Sequence, residues 1–289
     1  MSQETHVTPP SYLPVLGSVA LLLLMIGLGN WLHGAAIGYG FTAIGFGLLL
    51  WTIIQWFAVV IEENRTVLAG DAVLDRSMRW SMIWFIFTEV MFFAAFFGVL
   101  FYIRTWVLPQ LSGLVESKIM THTMLWPNFK ATWPLESTPA PDLVKAPGMV
   151  MKAAGIPVIN TAILLLSGVT ITLSHFALIH NHIQKAKRYL LLTIALGVVF
   201  LGLQVLEYHH AYAGGLTLSS GIYGNIFFMM TGFHGLHVLI GSVILGVIYH
   251  RLSLGHLSDQ SHFAFEAAAW YWHFVDVVWL ALFVFVYWV

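Results

Sequence analysis

The chain has 289 residues, of which 59% are hydrophobic and 9% charged, and its formal net charge is −1. Soluble domains carry roughly 25% charged residues, so this is the composition of a membrane protein, and the near-neutral balance leaves no basic surface for nucleic acid. Cysteine is absent, which excludes disulfides, iron–sulfur clusters, thiolate zinc and a cysteine nucleophile.

The first thirteen residues, MSQETHVTPPSYL, contain no Lys or Arg. A cleaved secretory signal opens with a basic region, so the first apolar span is expected to be retained behind a short tail at 1–13. About 20 apolar residues are needed to cross the hydrocarbon core. Seven stretches meet that length: 14–33, 40–62, 78–106, 157–183, 189–212, 222–250 and 263–288. Residues 63–77, ENRTVLAGDAVLDRS, read as a short charged loop. The long proline-rich loop at 107–156 holds LWPNFKATWPL, whose Trp126 and Trp133 are expected to pack on the protein or at the membrane interface. Residues 184–188, QKAKR, read as a short basic turn, and 251–262 as a polar one.

Orientation follows from the basic residues near the span ends. Arg65, Arg76, Arg79, Lys185, Lys187, Arg188 and Arg251 fall on one side, in short loops. Arg104, Lys118, Lys130, Lys145 and Lys152 fall on the other. This places the N-terminus in the cytoplasm, with the long loop and the C-terminus outside. No internal repeat and no inverted pair of interrupted helices marks the chain as a secondary transporter.

Ionisable groups inside a span are costly and face a protein interior or a water cavity. In FEAAAWYWHFVDVVW (265–279), helical spacing puts Glu266 and His273 on one face with Asp276 beside it. Glu266 and Asp276 are about 15 Å apart along the axis, and His273 and Asp276 form an i, i+3 pair. The sixth span contains GFHGLH, with His234 and His237 also at i, i+3, and Gly232, Gly235 and Gly241 nearby allow a close helix neighbour. Together these residues suggest a polar seam between the last two spans. Glu89 sits mid-span in FIFTEVMFF with no Lys or Arg within two turns, so it is expected to be protonated or hydrogen-bonded. The fourth span adds His175, and the fifth adds Gln204 and Glu207. For the seam, the residues alone leave open a structural hydrogen-bond network, a bound metal and a proton or ion pathway. For Glu89 they leave open a structural acid and a proton-linked one. Bis-histidine haem lacks a matched pair of residues on facing helices.

The stretches FIFTEVMFF, INTAILLLSGVTIT, GFHGLHVLIGS and FEAAAWYWHFVDVVW resemble subunit III of the haem–copper cytochrome c oxidases. They come in the family's order, and QWFAVVIEE and LGLQVLEY are also similar, so the likeness extends over residues 40–289. It implies an all-α fold of seven transmembrane helices, with a two-helix bundle (14–62) and a five-helix bundle (78–289) joined by a cytoplasmic loop (63–77) and separated by a V-shaped, lipid-filled cleft. It also implies a non-catalytic subunit of a proton-pumping oxidase that reduces oxygen to water. Such a subunit carries no haem, copper or other metal of its own, those cofactors residing in subunits I and II. The implied partners are subunit I as main contact, subunit II, small subunits, structural phospholipids in the cleft, and cytochrome c as donor to the complex. The implied roles are stabilising subunit I and supporting proton uptake and oxygen access.

Residue by residue, Glu89 matches the family's buried helix-three carboxylate. Trp56, Glu63, Arg79 and Arg251 match lipid-contacting positions. His234, His237, Glu266, His273 and Asp276 match the polar interior of helices six and seven. The chain departs from the family pattern at Phe57, Glu62, Ala69, Gly70, Phe176 and the HNHIQKAKR segment, which points to a bacterial chain in the cytoplasmic membrane. The alternatives are subunit III of a quinol oxidase, an accessory subunit of a nitric-oxide reductase, a proton-coupled transporter using Glu89 and the seam, and a metalloenzyme on His234 and His237.

Overall fold

A computed structural model describes residues 10–66, 72–259 and 261–288, and among these every regular element is helical. Among the described residues seven helices are long and apolar enough to cross a membrane, which makes the chain a multi-pass membrane protein. They are α1 (Leu13–Leu32), α2 (Ile37–Thr66), α3 (Ala72–Tyr102), α6 (Ile156–Ile179), α7 (Ile183–Ala213), α8 (Gly221–Ser253) and α9 (Phe263–Leu282). Two short helices, α4 (Leu108–Leu111) and α5 (Ile119–Leu125), lie in the long loop. The ends of the third and last spans widen into π-helical turns at Ile103–Val107 and Phe283–Trp288.

Several helix ends run past the apolar pattern. The expected loop at 63–77 is helical at both ends: α2 continues to Thr66 and α3 begins at Ala72. Ion pairs between Arg65 and Glu62 (3.1 Å) and between Arg79 and Asp75 (2.7 Å) support these polar turns at helical spacing. Residues 1–9 of the expected tail, together with Ala69 and Gly70, lie outside the described residues. The expected basic turn QKAKR is the start of α7, because Gln, Lys, Ala and Arg are all good helix formers. The actual reversal is three residues, 180–182. Asn181 adopts a left-handed conformation (φ 61°), and the N–H of His182 reaches back to the carbonyl of Ala177 at 2.8 Å. This is the double-bonded C-terminal stop that satisfies otherwise orphaned carbonyls. The same device ends α8, with Gly255 at φ 74° and the His256 N–H on the Arg251 carbonyl at 3.0 Å.

The helices fall into two compact units, one holding α1 and α2 and the other everything from α3 onward. In the first unit α1 and α2 form an antiparallel hairpin. A side chain added at Gly27, Gly38 or Gly45 would collide with the backbone of Thr42, Trp31 or Leu24 respectively. The pairs 27/42, 31/38 and 24/45 fix one register. Lipid tails give no hydrophobic drive between helices, so close backbone approach is what holds such a pair together.

In the second unit the largest fully buried side chains include Trp272, Trp279, Tyr223, Phe200, Phe227 and Phe265. Trp272 on α9 is the wedge. Its indole N–H donates to Ser167 Oγ on α6 at 2.9 Å, and its ring fills the space beside Gly197 on α7 and Gly241 on α8. Trp279, two turns on, donates to Thr161 Oγ1 on α6 at 2.9 Å. The long loop folds against the ends of these helices. Trp133 packs edge-on against Tyr223 (5.7 Å) with the Arg104 guanidinium 5.1 Å from the Trp133 ring, and Leu108, Trp126, Phe129, Leu135 and Tyr223 help line an apolar cavity of about 240 Å³.

Candidate functional site

The membrane-embedded polar residues of the α3–α9 unit occur in separate places. Buried polar groups are tolerated when they are hydrogen-bonded, so the partners say what each place can do.

Glu89 on α3 faces His237 on α8, with Oε2 and Nε2 2.9 Å apart. His237 Nδ1 lies 2.6 Å from the carbonyl oxygen of Phe233. A carbonyl only accepts, so Nδ1 carries a hydrogen. The Nε2···Oε2 contact then needs a hydrogen of its own. Either the neutral carboxyl donates to a neutral ring or the imidazolium donates to the carboxylate, and both arrangements are neutral overall. Phe93 stands edge-on to the His237 ring at 5.0 Å, and Phe92, Phe233 and Tyr271 complete an aromatic surround.

Asp276 on α9 is buried, with His273 Nδ1 3.5 Å from its Oδ2. The hydroxyl of Thr172 on α6 donates to the Gly168 carbonyl (2.9 Å), so the 3.2 Å contact between Thr172 Oγ1 and His273 Nε2 has the ring as donor. The absence of a side chain at Gly168 makes room for the carboxylate, since a Cβ there would meet Asp276 Oδ2 at 2.5 Å.

Glu266 lies in the first turn of α9, at the membrane end that carries the α6–α7 and α8–α9 turns. One of its oxygens pairs with Arg79 of α3, which also donates to Asp75. The other is 3.1 Å from His262 Nε2 and 3.9 Å from His175 Nε2. His175 stacks on Phe265 (5.4 Å, 14°), and Arg79 lies over Phe263 at 5.0 Å.

The five residues read as one polar seam are therefore not continuous. His237 joins Glu89, His273 joins Asp276, and Glu266 joins Arg79 and two further histidines. His234 joins none of them; its ring is buried against Trp279 (5.1 Å) and Phe200 (5.7 Å). Of the lipid-contact positions, Trp56 is exposed, Glu63 and Arg79 are half-buried, and Arg251 is only 7% exposed.

A fourth group combines Gln204 and Glu207, the polar residues marked in the fifth span by the sequence, with two partners that the sequence did not mark. Tyr287 donates to Glu207 at 3.3 Å, and Asn160 donates to Gln204 at 3.4 Å, all four buried. The i, i+3 spacing of Gln204 and Glu207 signalled one face of α7, but Asn160 and Tyr287 come from helices distant in sequence. His262 was also missed, although its position four residues before Glu266 is a helical-neighbour signal.

The family described as cytochrome c oxidase subunit III matches residues 3–113 and 114–289 of this chain. Proteins called cytochrome c oxidase subunit 3 from Polypterus ornatipinnis and Scyliorhinus canicula are each 39% identical to it over 283 residues, which is 98% of this chain and 96% of theirs. The corresponding protein of Danio rerio is 38% identical over the same shares.

Proposed function

The chain belongs to the cytochrome c oxidase subunit III family, and from that premise we propose that it is the non-catalytic third subunit of a proton-pumping cytochrome c oxidase in a bacterial cytoplasmic membrane. The observation that carries this reading is the match to relatives of that name along nearly the whole chain. In this reading it works as part of an oxidoreductase complex. Haem and copper sit in subunits I and II, cytochrome c delivers electrons to the complex, and this chain stabilises subunit I. Phospholipids are held at Trp56, Glu63, Arg79 and Arg251. Proton uptake into subunit I and oxygen access are supported from this side. The N-terminus is cytoplasmic and the C-terminus periplasmic, as the distribution of basic residues favours. The two-helix and five-helix units are the working divisions of the chain.

The side-chain chemistry fits a supporting role. Glu89 and Asp276 each pair with a histidine of the same chain. Outward-facing apolar residues such as Trp80, Trp84, Phe87 and Met91 on α3 suit lipid or a partner helix.

The test is gentle detergent purification of the tagged chain followed by an optical spectrum. Haem bands arriving with larger co-purified subunits, and turnover with cytochrome c, are expected. Turnover with quinol alone would reassign the donor. A folded, colourless chain without partners would overturn the reading.

A further inference from the structure

We propose that His175, His262 and Glu266 form a binding site for a zinc-class divalent cation at the membrane end where α6 finishes and α9 begins. One ring nitrogen from each histidine and one carboxylate oxygen of Glu266 all lie within 4.8 Å of one another. A tetrahedral zinc with bonds of about 2.0–2.1 Å sets its ligand atoms about 3.3 Å apart. The measured separations from Glu266 Oε1, 3.1 Å to His262 Nε2 and 3.9 Å to His175 Nε2, bracket that value. Rotamer adjustment closes the rest.

The hydrogen bonding favours a metal over a simple ion pair. His262 Nδ1 lies 3.2 Å from the Ser258 carbonyl oxygen, which can only accept, so Nδ1 holds the hydrogen and Nε2 turns a lone pair toward Glu266. Two acceptors facing at 3.1 Å need a cation between them. A proton on His262 Nε2 meets that need, but it leaves His175 Nε2, which is buried without a hydrogen-bond partner and aims at the same oxygen. A divalent ion satisfies all three ligands at once. The surroundings match what metal-binding histidines require, a backbone carbonyl fixing the His262 tautomer and ring packing that holds His175 on Phe265. Arg79 engages the other Glu266 oxygen and is itself shared with Asp75, so Oε1 stays available.

Two imidazoles and one carboxylate form a zinc-type donor set, not the all-oxygen cage of calcium or magnesium. Three protein ligands leave the fourth position to water. The side chains are 25%, 17% and 16% exposed for His175, His262 and Glu266, which gives an ion a path in. A bound ion ties the start of α9 to the end of α6 and, through Glu266 and Arg79, to α3.

The test uses the purified membrane complex that contains this chain, stripped with chelator and equilibrated with micromolar zinc. Zinc is counted per chain rather than per haem, so the answer does not depend on the oxidase reading. Both His175→Ala and His262→Ala are expected to lose about one zinc per chain. His180→Ala, an exposed histidine at the same end bonded to the Phe176 carbonyl (2.9 Å), is expected to lose none. Equal zinc content in all four proteins overturns the proposal. Should the triad variants fail to assemble, anomalous scattering at the zinc edge from wild-type crystals decides the matter: a peak among the three side chains supports the site, and none there refutes it.

Discussion

Glu89 and His237 meet at 2.9 Å across α3 and α8, and the bond from His237 Nδ1 to the Phe233 carbonyl means that their contact must hold a hydrogen. The pair is a neutral unit inside an aromatic cage. Glutamine can replace the acid in this role, since its amide donates to a neutral imidazole. Glu89→Gln is therefore expected to leave assembly intact, whereas Glu89→Ala strands His237 Nε2 at about 1–3 kcal/mol. Thermal denaturation of the purified complex checks the difference. Loss of assembly in the glutamine variant would show that the carboxyl does more than satisfy a histidine.

Asp276 is buried beside Gly168, with His273 Nδ1 3.5 Å from its Oδ2. If the pair is architectural, Asp276→Leu is expected to lower the yield of assembled complex more than it lowers the initial rate of oxygen consumption. Gly168→Ala, which pushes a methyl group into the carboxylate, is expected to act in the same direction. The reverse pattern, normal assembly with slowed turnover, would assign the pair to proton movement instead.

The seven spans were legible because apolar length is a property of local sequence, and α9 begins at the residue expected. The helix ends were less so. Apolar pattern stops at the membrane surface, but a helix of Glu, Arg, Lys and Gln continues into water, as in α2 and α7. Side-chain pairing was the least legible. Helical spacing put His234 and His237 together, yet one i, i+3 step leaves them about 60° apart around the axis, which is enough for one to meet α3 and the other the core. The pairing of Glu89 with His237 joins residues 148 apart, and no local rule selects that partner.

Trp272 should be the most sensitive single core position. It bridges α6 by hydrogen bond and α7 and α8 by packing against Gly197 and Gly241. Trp272→Ala is expected to cost about 3–5 kcal/mol, as large-to-small core changes do. Gly241→Ala is expected to cost about 1–3 kcal/mol by overpacking, because the new Cβ meets the ring at 2.9 Å. The two changes share one space, so the double variant should be less destabilised than the sum of the singles. Strict additivity would argue that the ring does not pack against Gly241.

The α1–α2 hairpin rests on a different force. Its close contacts are made where Gly27 meets Thr42 and Gly45 meets Leu24, one helical turn apart along α1. A β-branched residue at either glycine must push the two backbones apart, and in a bilayer no hydrophobic gain offsets the lost packing. Gly27→Val and Gly45→Val are therefore expected to loosen the hairpin, while Gly29→Val and Gly47→Val, where a Cβ meets nothing within 4 Å, are expected to leave it unchanged. Cysteines introduced at 17 and 52, where a Cβ at Gly17 would sit an ordinary 3.9 Å from the Thr52 side chain, report the spacing directly in this otherwise cysteine-free chain. Cross-linking should be fast in the parent and in the Gly29 and Gly47 variants, and slow with Val at 27. Equal rates in all of them would mean that helix contact here does not depend on the glycine seam.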